Sequence, residues 1–291
     1  IDPRRPYALT EEEEDIMDRL ERAFLGCQKL QEHMRFLLNK GGLYKVYNQN
    51  LLYHGCVPLN PDGSLKSVRI YGKVYKGKAL YEVLESYVRK GFFALDKKEK
   101  ERGKDMMWYI WLHENSPLFG KDKMATFERY FLAEKETHKE KKNPYYEFLE
   151  NEEVVDRILA EFGLPGEGTH IVNGHVPVKS KAGESPIKCQ GKVLVIDGGF
   201  SKAYQKETGI AGYTLIYNSY GLILAAHEPF ESTEAAIEKE SDIHSDSTIV
   251  KRVIARKMVG DTDIGRELKK RIEDLTWLLE SYREGIIAEK I

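Results

Sequence analysis

Four short apolar runs in the C-terminal half constrain the fold of this chain most strongly. They are His170-Ile-Val-Asn173, Lys192-Val-Leu-Val-Ile196, Tyr213-Thr-Leu-Ile-Tyr217 and Leu222-Ile-Leu-Ala225. Runs of this length that are rich in β-branched residues and bounded by glycines are typical of buried strands. Asn218-Ser219-Tyr220-Gly221 suits a hairpin turn between the last two runs. We therefore expect a sheet in this half of the chain.

Amphipathic patterns at both ends of the chain predict helices. Thr10 and Glu13 form a capping box, and apolar residues then recur at helical spacing until Gly41-Gly42, where a left-handed C-cap is expected. A second apolar stripe runs from Ile264 to Ile286 behind Asp261 or Thr262 as the N-cap. The sequence thus predicts one long helix near each end.

The segments between these patterns complete an α+β, or layered α/β, arrangement. Leu43–Tyr47 and Leu51–Tyr53 are predicted to form a hairpin. Helical patterns follow at Leu80–Leu95 and Pro144–Phe162, and the charged stretch Lys97–Lys104 is expected to be a solvated loop or helix end. The predicted division is a long amphipathic helix in 1–42, a β-sheet portion in 43–60 and 169–230, a mostly helical insertion in 61–168, and a strand (Lys251–Val259) with a long helix in 231–291.

Composition excludes several classes of protein. With 291 residues, 32% of them charged, and no apolar run near the roughly 18 residues of a membrane span, a soluble globular protein is expected. A net charge of -2 argues against non-specific nucleic-acid binding. Sparse cysteines at Cys27, Cys56 and Cys189 indicate reduced thiols in a cytoplasmic protein, with Cys56 a small buried hydrophobe. Because no Met opens the chain, we expect that a preceding segment is missing.

Two histidines stand at strand exits, next to a glycine and ahead of a proline. His54 follows Leu51–Tyr53, and His175 follows His170–Asn173. A sheet fixes the backbone at such positions and the loop leaves the imidazole open, which favours a metal-ligand role; a pair of turn histidines is the alternative. The loop beyond His175 is rich in lysines, which suits an anionic substrate such as a phosphate ester, although a solvated loop is equally compatible. These lysines are Lys179, Lys181, Lys188 and, further on, Lys202.

Longer motifs carry a family resemblance. Asn173–Lys179, Val195–Gln205 and Gly209–Gly221, with Tyr53–Pro58, Ser116–Lys121 and Thr126–Phe131, closely resemble class III fructose-1,6-bisphosphatases of bacteria, a branch of the calcineurin-like metallophosphoesterases. The resemblance implies half of a β-sandwich with a helical insertion and long flanking helices. It also implies two divalent metal ions, with Mn²⁺ favoured, and His54 and His175 as metal ligands.

The resemblance implies further features of the site. In this superfamily an Asp-x-His, a Gly-Asp-x-x-Asp and a Gly-Asn-His motif precede the two histidines, but they do not precede His54 here. This implies that the chain is the C-terminal portion of the enzyme, with the general acid in a missing N-terminal part. Candidates for holding the second phosphate of the sugar are Arg129, Lys179, Lys181 and Lys202, with Arg129 as a bidentate partner.

The implied activity is hydrolysis of the 1-phosphate of fructose 1,6-bisphosphate to fructose 6-phosphate and phosphate, a step of gluconeogenesis. The expected partners are the sugar bisphosphate, the N-terminal half of the same protein and further copies in a homo-oligomer, with no nucleic acid and no membrane. Two alternatives stay open. One is a metallophosphoesterase for another phosphate ester, and the other is a structural or regulatory half that is inactive when isolated.

Overall fold

A computed structural model describes residues 4–197, 205–206, 208–230, 232–238, 240, 245–252 and 256–288. Two compact units divide the chain, Ile1–Gly42 and Leu43–Ile291. Within the described residues the helices are α1 (Glu11–Gly26), α2 (Gln28–Lys40), α3 (Gly77–Phe93), α4 (Lys97–Leu112), α5 (Thr126–Phe131), α6 (Glu152–Glu161), α7 (Thr233–Glu238) and α8 (Asp263–Arg283). The strands are β1 (Tyr44–Tyr47), β2 (Asn50–Tyr53), β3 (Val68–Ile70), β4 (Lys73–Tyr75), β5 (His170–Asn173), β6 (Ile187–Lys188), β7 (Val193–Val195), β8 (Gly212–Asn218), β9 (Gly221–His227) and β10 (Ser245–Arg252).

The first unit contains two helices where the sequence predicts a single long one. The capping box is confirmed, because Glu13 N–H donates to Thr10 Oγ1 and Thr10 N–H donates to Glu13 Oε2. Cys27, however, has extended backbone with ψ of 96° and separates α1 from α2. Gly26 directly before it is a poor helix former, which explains a break at this point. The predicted left-handed C-cap is also wrong, since Gly41 has φ of -88°.

A five-stranded mixed sheet in the order β1-β2-β5-β7-β6 forms the centre of the second unit. Strands β1 and β2 form the predicted hairpin, with Asn48 and Gln49 at φ of 48° and 66° in the turn. Positive φ at both central residues is the conformation of the tight turns that match the twist of a hairpin. Strand β5 pairs in parallel with β2 on one side and with β7 on the other.

Both faces of β5 are buried between other layers. Ile171 and Val193 lie in one cluster with the buried face of α6, which includes Val155 and Ile158. On the other face, Val172 and Leu194 cluster with Leu222 of the antiparallel sheet β10-β9-β8. The hairpin β8–β9, predicted around Asn218–Gly221, is confirmed. The fold is therefore α+β and layered, as predicted.

The insertion between residues 61 and 168 is mostly helical but differs in detail from the prediction. Of the two alternatives for Lys97–Lys104, the loop is wrong and the helix end is confirmed: the stretch is the first half of α4, capped by the Asp96 carboxylate that accepts from Glu99 N–H at 2.9 Å. Gly103 lies against Gly91 of α3, and a Cβ on Gly103 would come within 2.2 Å of the Gly91 nitrogen. The close approach of two helices, which charge patterning does not reveal, makes this stretch helical.

Two other boundaries differ. Pro144–Glu147 is a short 3₁₀ turn, and α6 begins only after Asn151, whose side chain accepts from Val154 N–H. Strand β10 covers Ser245–Arg252 and pairs with β9, so it begins six residues before the predicted strand Lys251–Val259, of which residues 253–255 lie outside the described residues. The final helix starts as predicted, with Thr262 as its N-cap. In the described part of the chain, no helix is both long and apolar enough to span a lipid bilayer.

Candidate active site

Three polar side chains follow the three parallel strands of the central sheet. His54 comes directly after β2, His175 lies two residues after β5, and Asp197 lies two residues after β7. Because β2, β5 and β7 run in parallel as neighbours, their carboxyl ends meet at one edge of the sheet. Ligands of α/β sheets bind outside this edge. The sheet thus brings both predicted histidines to one place.

The two imidazoles are in direct contact. His54 Nε2 lies 2.9 Å from His175 Nδ1, and the ring centroids are 4.8 Å apart with the planes inclined by 69°. His175 Nε2 lies 2.8 Å from the Phe119 carbonyl oxygen. A carbonyl only accepts, so His175 Nε2 carries the proton and its Nδ1 is the acceptor. In this tautomer His54 Nε2–H donates to His175 Nδ1.

A buried polar network fixes the two strand ends to each other. Asn173, at 2% exposure, donates through Nδ2 to the Gly55 carbonyl and to the Tyr145 hydroxyl, both at 3.0 Å. The Tyr145 hydroxyl lies 2.7 Å from the hydroxyl of Tyr53. Gly174 N–H donates to the His54 carbonyl at 3.0 Å. These bonds set the separation of the two imidazoles through the backbone.

His175 has a special conformation and a perturbed titration. Its φ is 68°, a left-handed value that non-glycine residues rarely adopt and that clusters at functional sites. Burial lowers the pKa of His175, and the neighbouring His54 lowers it further, while the hydrogen bond to the Phe119 carbonyl opposes these effects. A lowered pKa keeps the imidazole neutral near pH 7, the form that binds metal ions.

The pair has the chemistry of a partial metal site. Two nitrogens that bind one ion at right angles, each at about 2.1 Å, lie about 3.0 Å apart. The nitrogens of His54 and His175 lie 2.9 Å apart in a hydrogen bond, so both can bind one ion only after the proton on His54 Nε2 moves to its Nδ1. A metal-binding histidine also donates its other N–H to a carbonyl or carboxylate, as His175 does to Phe119. Among the described residues, however, no group of three or more His, Cys, Asp or Glu side chains could hold a metal.

The predicted cationic residues have other partners. Arg129 lies 3.5 Å from Glu140 and donates to the His138 carbonyl. Lys181 Nζ donates to the Lys206 carbonyl at 3.0 Å, whereas for Lys179 it is the backbone N–H, not the ammonium group, that donates to Glu184. Lys202 lies outside the described residues. For these residues a substrate role stays a prediction.

Sequence reasoning missed the segment that supports His175. Pro117, Leu118 and Phe119 pass directly over the two histidines: the Pro117 carbonyl accepts from Cys56 N–H at 2.8 Å, and the Phe119 carbonyl contacts His175. A backbone carbonyl leaves no signal in the sequence. Asn173 was detectable, because it is a polar residue at the end of a strand that is otherwise apolar. Cys56 is fully buried, as predicted, and burial raises the pKa of its thiol.

Comparisons with known proteins give consistent results. The family model described as Firmicute fructose-1,6-bisphosphatase matches residues 1–284. Proteins named fructose-1,6-bisphosphatase class 3 are similar along the whole chain. The one from Clostridium novyi is 56% identical over 291 residues, that from Clostridioides difficile 58% over 290 residues, covering 99% of this chain, and one from Clostridium beijerinckii 54% over 290 residues.

The chain spans 44% of the length of these curated relatives. The search of solved structures gave no match. A family match over almost every residue, with more than half of the positions identical to several relatives, leaves no doubt about descent. The chain belongs to the Firmicute fructose-1,6-bisphosphatase family.

Proposed function

We propose that this chain is the C-terminal portion of a metal-dependent fructose-1,6-bisphosphatase of the calcineurin-like superfamily. The reaction is hydrolysis of the 1-phosphate of fructose 1,6-bisphosphate to fructose 6-phosphate and phosphate, in gluconeogenesis. The observation that carries the proposal is the contact of His54 Nε2 with His175 Nδ1 at 2.9 Å, at the carboxyl ends of two parallel strands. The names of the relatives that match the whole chain support the substrate.

His54 and His175 would hold one divalent ion, through Nε2 and Nδ1 respectively. Imidazole nitrogens suit Mn²⁺ or Zn²⁺ better than Mg²⁺, and Mn²⁺ is our choice. Bound divalent ions polarise the phosphoryl oxygens and supply a hydroxide nucleophile. The chain itself positions the ligands: the Phe119 carbonyl fixes the tautomer of His175, and Asn173 holds the strand ends together.

The remaining ligands and the general acid belong, in this proposal, to the N-terminal half of the protein. The described residues offer two neighbouring imidazoles but no third His, Cys, Asp or Glu within reach of a shared ion. Two ligands are fewer than the three or more protein ligands of catalytic metal sites. This observation favours a second possibility for the isolated chain, which is a folded but inactive half.

Steady-state rates on a panel of sugar phosphates test the proposal. The full-length protein, loaded with Mn²⁺, should hydrolyse fructose 1,6-bisphosphate with a higher kcat/KM than fructose 1-phosphate, glucose 1-phosphate or glycerol phosphates. A clear preference for another ester would replace this function by that of a metallophosphoesterase of different specificity.

A further inference from the structure

Two lysines meet beside the candidate active site. Lys121 and Lys142 form an isolated antiparallel β-bridge, which neighbouring hydrogen bonds support: Asn143 N–H donates to the Gly120 carbonyl and Asp122 N–H donates to the Lys141 carbonyl, both at 2.9 Å. Side chains directly opposite each other in such a pair lie on the same face, with Cβ atoms about 5 Å apart. Like charges placed in this way are destabilising unless an anion lies between them.

The two ammonium groups differ in their partners. Lys121 Nζ lies 2.8 Å from Glu140. The Lys142 ammonium, by contrast, has no carboxylate within 4.0 Å among the described residues and lies 5.7 Å from the centroid of the Tyr146 ring. Burial lowers the pKa of Lys142, Glu184 opposes this, and Lys179 and Lys121 lower it further. Lys142 is thus an exposed cation near Glu184 and two other lysines, and among the described residues no carboxylate contacts its ammonium group.

A small cavity lies next to Lys142. It has a volume of about 120 Å³ and is lined by Lys142, Tyr146, Asn173 and Gly174, among others. Among the described residues, the Tyr146 hydroxyl and Asn173 Oδ1 have no hydrogen-bond partner, but both atoms are closed off from solvent and so are not available to a ligand in the cavity.

The cavity also has carboxylates, but two of the three are already engaged. Glu184 accepts from Lys188 Nζ at 3.1 Å and from Lys179 N–H at 3.0 Å, and Glu150 accepts from Cys189 N–H at 2.6 Å. Glu147 is the third and is exposed. Of the two lysines that line the cavity, Lys188 is paired with Glu184, and Lys142 has no carboxylate partner in the part of the chain that the structure describes.

The cavity extends to the chain segment that carries His175. Gly174, which lines the cavity, directly precedes His175, and Lys121 lies two residues beyond Phe119, whose carbonyl holds His175. We propose that Lys121 and Lys142 bind the phosphate of the sugar bisphosphate that is not hydrolysed. This inference rests on the proposed function, since it needs a substrate with a second phosphate.

The test compares a bisphosphate with a monoester. Fructose 1,6-bisphosphate and p-nitrophenyl phosphate are given to the full-length protein and to its Lys142→Met variant. A charge-assisted hydrogen bond contributes about 1.5–3 kcal/mol, so kcat/KM for the bisphosphate should fall by about tenfold to hundredfold, mainly through KM. The rate with p-nitrophenyl phosphate should change less than about twofold, which also shows that the variant is folded.

Two further variants control for charge and position. Lys141→Met removes a neighbouring cation whose side chain alternates to the opposite face, and it should leave both substrates unaffected. Lys142→Arg should recover most of the rate with the bisphosphate. An equal loss with both substrates, or no loss with either, would overturn this subsite and leave the proposed function intact. A wild-type protein that cleaves p-nitrophenyl phosphate but not the bisphosphate would refute the proposed function and the subsite together.

Discussion

The two glycines beside the histidines should respond very differently to alanine. A Cβ on Gly55 would lie 2.4 Å from the Pro117 carbonyl oxygen and 3.1 Å from that of Leu118. Both obstacles are backbone atoms that cannot rotate away. A Cβ on Gly174 would meet only Asp197 atoms at 3.5 and 3.7 Å and the His54 carbonyl at 3.9 Å, which are ordinary contacts. Gly55→Ala must therefore displace the segment above the site, and Gly174→Ala need not.

The expected cost follows from the bonds that this displacement breaks. The Pro117 carbonyl accepts from Cys56 N–H at 2.8 Å, so moving it leaves a buried donor unpaired at about 1–3 kcal/mol. Overpacking adds about 1–3 kcal/mol, and the lower entropy of the unfolded chain returns about 0.4–1 kcal/mol. Gly55→Ala should lower the free energy of unfolding by roughly 2–5 kcal/mol, and Gly174→Ala should change it by less than about 1 kcal/mol.

Urea unfolding of the two variants measures this difference. A shift in the midpoint at unchanged m-value reports stability. The Gly55→Ala variant should also lose phosphatase activity, because the displaced segment includes the Phe119 carbonyl that orients His175. Equal midpoints for the two variants would show that the segment 117–119 does not pack against Gly55 as described.

Three other predictions concern the network, the helical insertion and the metal. Asn173→Ala removes the hydrogen bonds to the Gly55 carbonyl and the Tyr145 hydroxyl and should lower the free energy of unfolding in urea by about 2–3 kcal/mol. A decrease of less than about 0.5 kcal/mol would contradict the network. Gly103→Ala places a Cβ 2.2 Å from the Gly91 nitrogen and should lower Tm by several degrees. Gly26→Ala is the control, because nothing lies within 4 Å of its added Cβ, and it should not lower Tm. Equal Tm values for the two variants would disprove the contact between α3 and α4. The 291-residue chain alone should bind Mn²⁺ below one equivalent by elemental analysis, and two tightly bound ions would show that its ligand set is complete.

The sequence predicted those elements whose local signals agree with their surroundings. Strand β5 has the predicted bounds because an apolar run between turn residues suits a central parallel strand, which is buried on both faces. The N-caps Thr10 and Thr262 were identified because their side chains bond within one turn of the helix. His54 and His175 were selected from their place at strand exits, and the sheet brings these two residues together, while their role as metal ligands stays a prediction.

The elements that the sequence did not predict depend on distant contacts. The charged first half of α4 left a loop and a helix end as alternatives, and the contact of Gly103 with Gly91, which determines its place, was not predicted. The break between α1 and α2 at Cys27 was not predicted, because the helical spacing of apolar residues continues through it. The pairing of Lys121 with Lys142 was not predicted, because a single β-bridge between residues far apart in the chain produces no repeating pattern in the sequence.

Phosphate release from fructose 1,6-bisphosphate by the full-length His175→Ala variant tests the central claim most directly. The matched control is His113→Ala, since His113 is also half-buried but stacks on Tyr109. If His54 and His175 hold a catalytic metal ion, the His175→Ala variant should lose at least about a hundredfold in kcat and bind less Mn²⁺, while His113→Ala retains most of both. A His175→Ala protein that keeps wild-type activity and metal content would contradict the account.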